Sequence, residues 1–108
     1  MPELSNINVV REILSRHGFH FSKALGQNFI VNPEVCPRIA CESGVDKDMC
    51  ALEIGPGIGV LTKELAKRAK RVLAVEIDEA LPPVLAETLA EFDNVTVLGA
   101  DVLKIDVL

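Results

Sequence analysis

The chain has 108 residues, 49% of them apolar and 25% charged, the makeup of one globular domain with no run approaching the ~18 apolar residues that a membrane span needs. Eleven basic against sixteen acidic residues give a net charge of −5, which argues against binding nucleic acid through the overall field. Met1-Pro2-Glu3 lacks the basic-then-apolar order of a secretory leader, and Cys36, Cys41 and Cys50 fit neither a zinc pair nor a disulfide framework. The expectation is a cytoplasmic protein with three buried, reduced thiols, no metal site and no membrane partner.

Ser5 can cap a helix in which Val9, Val10, Ile13 and Leu14 recur at helical spacing, with Gly18 as its stop. Residues 17–29 have no clean period and mix aromatics, imidazoles, a lysine and amides, the texture of a working loop. Asn32-Pro33 is an N-cap followed by a proline at the first helical position; Gly44 closes that helix, and Pro37 is expected to strain or kink it.

From Cys50 onward short apolar runs alternate with helical patterns, which indicates βαβ units around a parallel sheet. Strands are expected at 50–54, 72–76 and 95–98. A helix over about 60–69 turns Leu61, Leu65 and Ala69 inward and its Lys and Arg outward, and a second runs over roughly 80–92, where Pro82 and Pro83 fit only the first turn. Lys63, Lys67, Arg68, Lys70 and Arg71 gather five cations in one stretch. Their plainer meaning is a solvated helix face; the alternative is a phosphate contact.

The strongest chemical signal is Leu52-Glu53-Ile54-Gly55-Pro56-Gly57-Ile58-Gly59, a glycine loop between a strand and a helix. Gly-x-Gly-x-Gly is neither the Gly-x-Gly-x-x-Gly of dinucleotide folds nor a P-loop, but it lets a ligand lie against bare backbone. Glu76 ends the second strand about 20 residues on, where a carboxylate accepts both hydroxyls of a ribose. Asp101, after the third strand, is a candidate acceptor for an adenine amino group, although Gly-x-Asp is also ordinary turn chemistry. The three strand ends together suit an adenosine-containing ligand without a pyrophosphate.

Phe21-Ser22-Lys23-Ala24-Leu25-Gly26-Gln27-Asn28-Phe29-Ile30, the glycine loop and Val75-Glu76-Ile77-Asp78 together resemble the N-terminal part of the ribosomal RNA adenine N6-dimethyltransferases, most nearly the bacterial small-subunit type tied to kasugamycin sensitivity. The resemblance implies an α/β, Rossmann-like, S-adenosylmethionine-dependent methyltransferase fold, truncated after its third strand and preceded by an N-terminal helical extension. Residues 1–48 are then the extension with a donor-site loop, and 49–108 the first part of the methyltransferase domain. By the family pattern Asn28 and Ile30 line the donor pocket, Gly55 and Gly57 belong to the loop beside the methionine part, Glu76 takes the ribose hydroxyls and Asp101 contacts adenine. The family reaction adds two methyl groups to each of two neighbouring adenines of small-subunit (16S) ribosomal RNA, so the implied partner is that RNA in a pre-ribosomal particle.

The chain departs from the family in lacking the Asn-Leu-Pro-Tyr-like motif that holds the target amine. It contains no Tyr, and Leu81-Pro82-Pro83-Val84 is only a helix start. The catalytic residues are expected beyond Leu108, with the C-terminal helical domain. The 108 residues therefore read as a fragment that is inactive alone and self-associates through an open sheet edge at residues 50–54, the full-length enzyme being a monomer. Alternatives are a large-subunit RNA methyltransferase conferring antibiotic resistance, a mainly non-catalytic ribosome-assembly checkpoint factor and, more weakly, a nicotinamide-cofactor dehydrogenase. His17, His20 and Lys23 are candidate phosphate contacts or idle loop residues, and Phe19 and Phe21 either stack on bases or anchor the loop to the core.

Overall fold

The computed structural model describes residues 6–19, 35–101 and 103. Helix α1, Ile7–Arg16, is capped by Asn6 and not by Ser5: the Asn6 side-chain oxygen accepts from the N–H groups of Asn8 at 2.9 Å and Val9 at 3.4 Å. Ser and Asn cap equally well, so residue type alone does not place the start. Gly18 takes a positive φ of 83° at the expected stop. Helix α2, Val35–Glu42, carries Pro37 as its third residue without interruption, which corrects the expected kink; a first-turn residue has no intrahelical N–H bond to lose. The Asn32-Pro33 cap lies outside the described residues.

Three parallel strands follow: β1 (Cys50–Ile54), β2 (Arg71–Glu76) and β3 (Val95–Gly99), paired in the order β1-β2-β3 with Ile54 beside Val75 and Val75 beside Leu98. Helices α3 (Val60–Arg68) and α4 (Pro82–Thr88) make the two crossovers. Prolines 82 and 83 open α4 as expected, but the helix ends well before residue 92. At Leu89 the backbone leaves helical geometry, and tighter turns follow, with Ala90 N–H on the Glu87 carbonyl at 3.4 Å and Phe92 N–H on the Leu89 carbonyl at 3.0 Å. Leu89 is thereby buried, and Phe92 packs beside Val72.

Among the described residues two apolar clusters hold the elements together. One joins Val10, Ile13 and Leu14 of α1 to Ile58, Leu81 and Val84. The other joins Ala40 of α2 to Leu65, Ala66, Ala69 and Val72, so α2 and α3 pack on each other and on one sheet face. Thr62, polar and fully buried, sits inward on α3 beside the expected apolar residues. Lys63 is not outward: its side chain is 14% exposed, with Nζ 3.4 Å from the Glu91 carboxylate.

The other sheet face is only partly covered: Val75, in register with Ile54 and Leu98, is buried. Leu52, Ile54 and Leu98 are 48%, 59% and 39% exposed, and β1 forms one edge of the sheet. Alternation along β1 explains a further correction. Cys50 shares the exposed side of β1 with Leu52 and Ile54, and Cys41 lies one residue past core-facing Ala40, so both thiols are exposed and only Cys36 is buried. No helix among the described residues is long and apolar enough to cross a membrane.

Candidate functional site

The loop after β1 begins fastened to the sheet, because the Gly55 N–H donates to the Val75 carbonyl at 2.9 Å. Gly55, Gly57 and Gly59 all have positive φ, at 72°, 61° and 94°. Gly59 has a second reason to lack a side chain: a Cβ there meets Thr88 Oγ1 at 3.1 Å and the Leu89 and Leu85 side chains at 3.2 and 3.3 Å. Helix α4 thus presses on the loop from one side. At Gly55 the corresponding space is empty, leaving backbone open to a ligand.

Glu76 is not a solvated strand end. It is 5% exposed, with Oε1 accepting from the Gly57 N–H at 3.3 Å and Oε2 from the Asp78 N–H at 3.0 Å. Each oxygen retains a second lone pair. Asp101 is half-buried, and its Oδ1 accepts from the Leu103 N–H at 2.9 Å, a local turn. It also lines a cavity of about 120 Å³ with Ile54, Gly55, Val75, Ile77 and Ala100, so the same residue serves the turn and faces the site.

Ile77 is a site residue that sequence reasoning missed. It follows Glu76, is 67% exposed and forms part of the cavity wall. The available signal was an aliphatic residue between two acids just past a strand end, where solvent exposure has no packing reason. Glu53 and Thr62 were missed as well: the Thr62 hydroxyl, in the first turn of α3, donates to Glu53 Oε1 on β1. Burial pushes the Glu53 carboxyl above its ordinary value, and the Thr62 bond pulls it partly back.

His17 is committed elsewhere, with Nε2 3.0 Å from Glu87 Oε1. Arg16 grips the same carboxylate with both terminal nitrogens at 2.8 and 2.7 Å. Phe19 packs against the cluster of α1 and α4, the anchoring alternative. Within the basic stretch Lys67 and Arg68 both pair with Glu64 at 3.2 Å, which favours the helix-face alternative for them. Asn28, Ile30, His20, Phe21 and Lys23 lie outside the described residues.

Residues 18–108 match the family described as ribosomal RNA adenine dimethylase. The chain belongs to that family. Within it, this dimethylase-family chain is 50% identical over 107 residues to "Ribosomal RNA small subunit methyltransferase A" of Bacillus mycoides, covering 99% of the chain and 37% of the relative. It thus spans little more than a third of that relative's length. Among solved structures, the 23S rRNA methyltransferase ErmE superposes with a TM-score of 0.66 at 39% identity, over 70% of this chain and 31% of that one. The tRNA (m1A58) methyltransferase TrmI from Aquifex aeolicus gives a TM-score of 0.69 at 26% identity, over 98% of this chain and 39% of that one. The fold of this dimethylase-family chain is accordingly the α/β, Rossmann-like methyltransferase fold.

Proposed function

We propose that the ends of β1, β2 and β3 hold S-adenosylmethionine and that the protein uses it to dimethylate adenine N6 in small-subunit ribosomal RNA. The observation that carries this reading is the buried Glu76 carboxylate, bonded to the glycine loop and flanked by a cavity that runs from Ile77 to Asp101. The residues present fit the donor. Glu76 has a free lone pair on each oxygen for the two ribose hydroxyls. Ile54, Val75, Ile77 and Ala100 offer mostly apolar walls to a planar base, with Asp101 at the edge for its amino group. Gly55 leaves open backbone for the methionine part. Asn28 and Ile30 are proposed, from the family pattern, to complete the pocket.

When bound, the donor supplies an already activated methyl group, so the chain's task is alignment and no strong base is needed. Glu76 and the loop fix the ribose end; Ile77 and Asp101 fix the rotation of the base. The 50% identity to a small-subunit enzyme, against 39% to ErmE, favours small-subunit RNA in an immature particle over the large-subunit alternative. Residues 1–48 then act as a helical extension and 49–108 as the first part of the methyltransferase domain, in a cytoplasmic protein. The exposed Leu52 and Ile54 on edge strand β1 further support self-association of the 108-residue chain, which concentration-independent sedimentation as a monomer contradicts.

Titration calorimetry with S-adenosylmethionine, its demethylated product and NAD tests the donor site. Saturable binding of the first two, lost in Glu76→Ala, is expected, and preferential binding of NAD overturns the reading. Transfer of labelled methyl groups to immature small-subunit particles, against large-subunit particles, tests the substrate.

A further inference from the structure

Glu53 stands two residues before the glycine loop, on the face of β1 opposite exposed Leu52 and Ile54, and its carboxylate meets Thr62 in the first turn of α3. The cap of α3, Gly59, makes no side-chain hydrogen bond, so the first N–H groups and the positive end of the helix dipole look toward the loop. In a strand-to-helix turn of this kind that positive end is where a phosphate settles. Here a carboxylate of the chain itself lies against the same turn. Among the described residues the Thr62 hydroxyl is the hydrogen-bond partner of the Glu53 carboxylate, and the neighbouring Cys36 is a buried thiol. The Thr62 hydroxyl favours the ionised form of that carboxylate, against the opposing effect of burial.

We propose that Glu53 is a specificity-determining residue: its carboxylate against the first turn of α3 offsets the helix's attraction for phosphate and makes the site select adenosine ligands that carry no phosphate over adenine nucleotides. The inference rests on the reading of this site as an adenosine-donor pocket. It differs from a purely structural role. A residue that only steadied the loop would, when changed, weaken adenosine and nucleotide alike and leave their ratio untouched.

The test is the dissociation constants of adenosine and of ADP for the unsubstituted protein, Glu53→Gln and Glu53→Asp. Gln keeps the acceptor for Thr62 and removes the charge, whereas Asp keeps the charge. The preference for adenosine over ADP is expected to fall about tenfold in Glu53→Gln, the scale of one unit charge a few ångströms away in partly screened surroundings. In Glu53→Asp it stays within about twofold of the parent, because the same charge acts from a similar distance. Glu53→Met, uncharged and of similar length, gives the same readout where the Gln variant does not fold. An unchanged ratio in the uncharged variant, with adenosine still bound, overturns the assignment of Glu53 while leaving the donor pocket intact. Failure of the unsubstituted protein to bind adenosine overturns the donor pocket and this inference with it.

Discussion

The Gly57 N–H donates to Glu76 Oε1 at 3.3 Å, so the glycine loop and the carboxylate at the end of β2 are set by one shared hydrogen bond. Ligand binding and loop geometry are therefore coupled at Glu76. Replacement by Ala removes both proposed ribose contacts and leaves the Gly57 N–H without its partner. Hydrogen bonds to a charged acceptor contribute about 1.5–3 kcal/mol each. Two of them correspond to a Kd for S-adenosylmethionine on the order of 100-fold weaker or more. Calorimetric affinity within threefold of the parent contradicts the assignment.

Gly59 and Gly55 separate backbone strain from crowding. Gly59→Ala places a Cβ at a φ of 94° and 3.1–3.3 Å from three side-chain atoms of Thr88, Leu89 and Leu85. A loss of about 1–3 kcal/mol in urea unfolding is expected. Gly55→Ala carries the strain without the crowding, since nothing lies within 4 Å of its Cβ position. Its stability loss is smaller, and its donor affinity falls further than that of the Gly59 variant.

Glu87 sets part of the acid limb of stability. The bonds from Arg16, then those from His17, hold its carboxyl below the ordinary 4.5. The unfolded chain therefore binds more protons, and stability rises with pH through this window. The contribution is complete above about pH 4.5 and is lost as pH falls through the depressed folded-state value. Glu87→Gln is expected to flatten the rise of melting temperature with pH below neutrality. An acid limb of unchanged slope counts against the clamp.

At Glu53 the sign reverses. Burial holds its carboxyl above 4.5, so the folded state binds more protons than the unfolded one and this group lowers stability as pH climbs from 4.5 to the raised value. Glu53→Gln keeps the Thr62 contact and removes that loss. The variant is expected to melt no lower than the parent at pH 7, in contrast to Glu87→Gln, which melts lower. A Glu53→Gln melting point several degrees below the parent at pH 7 contradicts the sign.

The three strands, both crossovers, the glycine loop and Glu76 were legible because each is written locally, as alternating apolar runs, proline at a helix start and glycine spacing. Other features depend on what arrives from elsewhere in the chain. Thr62 and Glu53 read as ordinary polar positions until the helix lays one over the other. Ile77, between two acids past a strand end, shows its part in the cavity wall only once the fold leaves it 67% exposed. The shortening of α4 goes with the burial of Leu89 at its end and the packing of Phe92 against the cluster of Ala40, Leu65 and Val72, which no helical period records. Arg16 and Glu87 stand 71 positions apart, beyond the reach of any spacing rule.

That last separation orders events while the chain is being made. Helix α1 leaves the ribosome before the other described elements, a ten-residue segment too short to persist as a helix in water. The surface that buries Val10, Ile13 and Leu14 is completed only by Leu81 and Val84, and its ionic clasp only by Glu87. By then α2, α3 and the first two strands can already have condensed around Ala40, Ala66 and Val72. Limited proteolysis of stalled nascent chains is expected to find α1 unprotected until residue 87 has cleared the exit tunnel: α1 docks after α2 and α3, although it precedes both in the chain.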